Sequence, residues 1–145
     1  MTTLMKILLL LISLILLPNS VHSHEIKSGS LIIVHPHVDE AEKGQAAARG
    51  SMEIRNEGTT TDQLLSITAE FASEATIEVP GAMIIAPHER VLVPIAFHGI
   101  KRKLSEDEAY DGELVFAKAG AVKIDFMVHP HDHSSNAANL ALRQQ

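Results

Sequence analysis

With 145 residues, a net charge of −6 and no cysteine, the sequence excludes several large domains, a nucleic-acid partner and any thiolate metal site. Nine histidines are then the main metal-capable donors, while no Trp and a single Tyr leave little aromatic surface.

Lys6 precedes the apolar run Ile7 to Ile12 and, after Ser13, Leu14 to Leu17. This predicts a secretory signal peptide over residues 1–23, ended by Pro18 and offering Val21 and Ser23 as the small residues before a cut. The run is too short to span a bilayer, so the mature form is expected to have no membrane span. Cleavage after Ser23 would leave His24 first and, with Lys6 gone, a charge of −7. The mature chain divides into a domain over 24–128 and a His-rich, then polar tail over 129–145, in which only Ala137 to Arg143 has a weak helical pattern.

The domain reads as strands. Leu31-Ile32-Ile33-Val34 is an apolar run, and Met52-Glu53-Ile54-Arg55 alternates before the turn Asn56-Glu57-Gly58. Leu65, Ile67, Ala69 and Phe71 share one face of a third strand, and Thr76 to Val79 is a short fourth closed by Pro80-Gly81. Val91 to Phe97 contains Pro94, which predicts an edge strand or a bulge. Lys101 to Asp111 is charged, with room for one helical turn, and Glu113 to Lys118 and Val122 to Val128 flank Ala119-Gly120-Ala121 as a hairpin. About seven short strands without a long amphipathic helix predict an all-β fold, an antiparallel β-sandwich of cupredoxin-like or immunoglobulin-like type.

Three histidine features stand out. A mature N-terminal His24 offers its α-amine and its ring Nδ1 to one ion, and a second histidine would complete a T-shaped set of three nitrogens, a histidine brace suited to Cu(II). Val34-His35-Pro36-His37 and Val128-His129-Pro130-His131-Asp132-His133 each follow a strand, with the intervening proline expected to hold the backbone extended and both imidazoles on one side. The plainer reading of both clusters is solvated surface histidine. His98, before Gly99, is either a ligand or a strand-edge histidine satisfied by a carbonyl, and His88 reads as an exposed turn residue.

The segments Met52 to Gly58, Asp62 to Leu65, Ala75 to Val79, Phe97 to Leu104 and Gly112 to Gly120 resemble the periplasmic copper chaperone family called PCuAC, over about Leu31 to Val128. The resemblance implies a cupredoxin-like sandwich that hands copper to cytochrome oxidase assembly or related copper enzymes. It also implies a Cu(I) set of two histidines and two methionines, and there the sequence departs. Val79 stands at the first histidine, Pro94 and Ala96 at the His-x-Met pair, and His98 at the residue before Gly99. The soft site of that family is therefore not at its usual positions.

A strand over residues 26–34 would extend roughly 26 Å and carry His35 and His37 away from His24. His98 is thus the expected partner of His24 in a tight site. If the first and last strands run parallel, His35, His37, His129, His131 and His133 would form a second, looser one. The resulting expectation is periplasmic copper binding, Cu(II) favoured, by a chaperone or store supplying a copper enzyme or its assembly factors, with no catalysis by the chain itself. Its rivals are a histidine-brace copper oxygenase acting on polysaccharide, a metal-independent secreted interaction module, and a zinc or nickel scavenger.

Overall fold

The computed structural model describes residues 24–79 and 83–131. The predicted signal peptide, the Pro80-Gly81 turn, His133 and the polar tail lie outside the described residues. Among the described residues nine strands occur in chain order: β1 (Glu25–Ser28), β2 (Leu31–Asp39), β3 (Ala47–Asn56), β4 (Asp62–Ala69), β5 (Ala72–Ile77), β6 (Ile84–Ile85), β7 (Arg90–Ile100), β8 (Ala109–Phe116) and β9 (Gly120–His129). They hydrogen-bond in the order β5-β7-β3-β2-β9-β8-β4-β6, with β1 added to β2. All pairings are antiparallel except β2 with β9, which run parallel.

The all-β architecture agrees with the period-two pattern, and the differences are local. β1 and β6 are additional strands: one has Ile26 as its sole apolar residue and the other is two residues long, so neither carries a periodic signal. The charged segment after Ile100 forms no helical turn; Leu104 instead bridges to Ala41 and β8 opens at Ala109. β5 lies four residues earlier than Thr76 at its start, from Ala72.

Pro94 does not mark an edge. β7 is central, between β5 and β3, with Pro94 opposite Ser51. Its carbonyl accepts the Glu78 N–H at 3.0 Å, just past the end of β5 at Ile77. Because a strand residue's N and C=O point to the same side, the missing N–H also faces that side, and the ladder to β3 is intact.

The hydrogen-bonded path curls so that its inner faces meet. Phe97 of β7 and Phe126 of β9 stand 5.1 Å apart, ring centre to ring centre, and Phe71 joins them at 4.9 and 6.0 Å. Around these rings the inward residues Ile33, Val38, Ile54, Leu64, Val93, Ile95 and Leu114 are fully buried, which is the apolar burial that stabilises a chain of this size. Buried polar groups serve the loops: the Asp62 carboxylate accepts the N–H groups of Gln63, Lys118 and Ala119, so one side chain holds the β8–β9 turn.

Candidate metal centre

The chain enters the sandwich through a hairpin. Gly29, at φ +59°, turns β1 back onto β2, so Glu25 pairs with Val34 and the His35 N–H donates to the His24 carbonyl at 3.0 Å. The expectation that His35 lies a strand's length from His24 is therefore corrected: residues 26–34 are not one strand but two, folded at Gly29. Outside the hairpin Arg55 reaches Glu25 at 3.6 Å and Glu53 at 2.6 Å, and Arg90 reaches Glu53 at 3.3 Å. The Arg55 guanidinium is held charged chiefly by its hydrogen bond to Glu53.

His35-Pro36-His37 is not uniformly extended. His35 has φ +48° and sits in a bulge where the pairing with β3 shifts between Val34 and His37. The extra residue reverses the alternation: Leu31 and Ile33 face the core, then Pro36 and Val38 do, and His37 and Asp39 are only half-buried. Without the bulge both histidines would fall on the core face. Instead His37 Nδ1 lies 3.2 Å from the His35 carbonyl, which can only accept, so the contact is made by a proton on Nδ1 and, in the neutral ring, leaves the lone pair on Nε2. Ser51 Oγ stands 3.5 Å from that Nε2.

The parallel pairing of β2 with β9 then sets His37 opposite Met127 and Asp39 opposite His129. The His37 and His129 rings stack at 4.7 Å and 10°. His129 is pushed below the ordinary histidine pKa by partial burial and by His37, with Asp39 acting against them. A neutral imidazole is the form that binds metal. His131 Nδ1 lies 3.3 Å from Asp39 Oδ2, so three histidines of the predicted looser cluster, His37, His129 and His131, do gather about the ends of β2 and β9. Sequence reasoning passed over Asp39, Ser51 and Met127; their signal was the alternation that places them on the face of His37 and His129.

His98 stands elsewhere. It pairs between Ala47 of β3 and Glu74 of β5, and its Nε2 lies 3.1 Å from Thr76 Oγ1, a hydroxyl and not the expected carbonyl. The row of β7 level with His35 is Val93, five residues or roughly 17 Å back along the strand and with β3 and β2 in between. The structure thus brings His24 to His35 and not to His98. His98 shares with Asp39, Glu78 and His131 a groove of about 360 Å³. His88 is an exposed turn residue at φ +59°. Among the described residues no three His, Asp or Glu side chains already surround one point, and two parallel stacked rings converge on an ion only if one of them turns.

The comparisons agree with this fold. The family model named LpqE-like matches residues 31–128. Among solved structures, the apo PCuAC domain from PmoF1 is 25% identical at a TM-score of 0.66, covering 74% of this chain and 99% of that one. The copper-bound PCuAC domain from PmoF2 is 24% identical at a TM-score of 0.67, covering 74% and 98%. No curated protein matches the chain. The family match runs from the start of β2 to Val128 in β9, and the chain belongs to the LpqE-like family, with the fold of PCuAC domains.

Proposed function

We propose that the mature chain, beginning at His24, carries copper outside the cytoplasm as a chaperone or store and does so through nitrogen ligands on the β1–β2–β9 edge. The α-amine and Nδ1 of His24 would chelate the ion, and His37 and His129 supply the imidazoles that complete the set. The observation that carries this reading is the pair of contacts along β2: the backbone of His24 on His35, and the ring of His129 on His37. Nitrogen donors from a chelating amine and imidazoles suit Cu(II). The copper-bound PCuAC domain from PmoF2, which shares this fold, adds support for copper over zinc or nickel. His98 and His131, in their groove with Asp39, are read as weaker collecting positions, together with His133.

A carrier and not a catalyst also fits the surface. An oxygenase working on polysaccharide needs an aromatic platform, and the single tyrosine, Tyr110, is buried, its hydroxyl held by Glu108 and the Lys103 carbonyl. Recipients are a copper enzyme or its assembly factors.

The test is electron paramagnetic resonance of the domain prepared to start at His24. One equivalent of Cu(II) should give a nitrogen-rich type 2 spectrum, strengthening with pH as the amine, with an ordinary pKa of roughly 7.7 to 8.0, loses its proton. One extra residue before His24 should alter that spectrum. An identical spectrum from the extended protein rejects the amine as a ligand.

A further inference from the structure

We propose that Met127 makes this edge a site for Cu(I) as well as Cu(II), its thioether replacing the amine nitrogen as the donor that matters when the bound ion is Cu(I). The inference rests on the copper reading of the His24, His37 and His129 edge, and adds which oxidation states the cargo takes.

The flanking residues of β9 decide where Met127 points. Phe126 and Val128 are 0% and 1% exposed and belong to the core, so the residue between them faces outward, where it is half-buried. The other outward positions of β9 carry Ala121, Lys123, Asp125 and His129, so an unbranched thioether is the odd residue on that face. The parallel register sets it directly beside His37, whose ring already stacks on His129. Its other neighbour, Ala109 of β8, ends at Cβ and leaves the long, flexible side chain room to swing toward the imidazoles.

Chemistry assigns the consequence. Thioether sulfur is a soft, neutral donor that selects Cu(I) and contributes little to Cu(II), whereas imidazole accepts both. With His37 and His129 shared between the two states, the amine and the sulfur can each serve one of them. Met52, by contrast, is 1% exposed in the core and is out of reach of solvent copper.

The experiment compares the domain starting at His24 with Met127→Leu, which keeps the volume and shape of the side chain. Cu(I) affinity is measured without oxygen by competition with a chromogenic Cu(I) chelator, Cu(II) affinity by competition with a Cu(II) chelator, and folding by circular dichroism. Met127→Leu should weaken Cu(I) by about tenfold or more and change Cu(II) by less than about threefold, with the Cu(II) spectrum unchanged. Unchanged Cu(I) affinity, or equal losses for both states, overturns the proposal. His37→Ala is measured beside it: wild-type Cu(II) affinity in that variant would show that the copper reading of this edge has failed, and the Cu(I) inference with it.

Discussion

His35 stands at φ +48°, in the left-handed region that side chains beyond glycine seldom occupy, and directly before a proline, which ordinarily restricts its predecessor to extended backbone. The rule for residues before proline predicts an extended run, whereas one unusual torsion at His35 makes the bulge that takes both His35 and His37 off the core face, with Pro36 buried between them. The consequence for His129 is a prediction. Its pKa is lowered, so as pH falls below the ordinary value of about 6.5 the unfolded chain takes the proton first and the folded domain loses stability, while above that pH the group contributes nothing. Urea unfolding of the metal-free domain should therefore show a loss between about pH 7 and pH 5 that is smaller in His129→Gln. An equal loss in both proteins would mean that partial burial and the neighbouring His37 do not hold the ring neutral. At this scale the candidate histidines were legible, since they declare themselves; their neighbours were not, because neighbours follow from φ at one residue and from which side of a strand a bulge leaves.

Among the strands, β2 bears the most geometry, pairing with β1 along its first half, with β9 along its second, and with β3 throughout. Gly50 of β3 lies opposite Val38, beyond the bulge, and a Cβ there would stand 2.2 Å from the His37 carbonyl and 2.8 Å from the Phe97 ring. The carbonyl is backbone and cannot swing aside. Gly50→Ala should thus destabilise the domain by about 2 kcal/mol or more and, by pushing on His37, weaken Cu(II) binding as well. Urea midpoints and a chelator titration check the two effects; a variant as stable as wild type would show that β2 and β3 part easily at this point. Strand existence was legible from alternation, as in Met52 and Ile54 or Val122 to Val128. The β1–β2 hairpin was not, although Ser28-Gly29-Ser30 is a turn signal, because Ile26 alone gives no period and the eye runs on into the apolar Leu31. Pro94 misled for a related reason: a proline is compatible with a central strand wherever the neighbour on its N–H side stops short, and the end of β5 is set by tertiary pairing.

For the molecule as a whole, the proposed site joins the beginning of the described fold to its end. His24 leads β1, which pairs with β2, and His129 closes β9. An ion held by His24, His37 and His129 would therefore cross-link β1, β2 and β9, and binding to the folded form alone stabilises it by about 2.7 kcal/mol at a free concentration one hundred times Kd. The stabilisation should be local as well as global. The His35 N–H, bonded to the His24 carbonyl at 3.0 Å, and the Glu40 N–H, bonded to the His129 carbonyl at 2.9 Å, report on the two ends of the cross-link. Hydrogen exchange with one equivalent of Cu(II) should slow both amides, while the Gly99 N–H, bonded to the Ala46 carbonyl at 2.9 Å beside His98, slows only as far as global stability requires. The paramagnetic ion makes mass spectrometry the suitable readout, on peptides spanning 31–41 and 96–104. Selective protection of the peptide around His98 would return that residue to the tight site and require β1 to leave β2 on binding copper. Protection confined to 31–41 would instead fix the ion between the first hairpin and the last strand, where the His37 and His129 rings already stack.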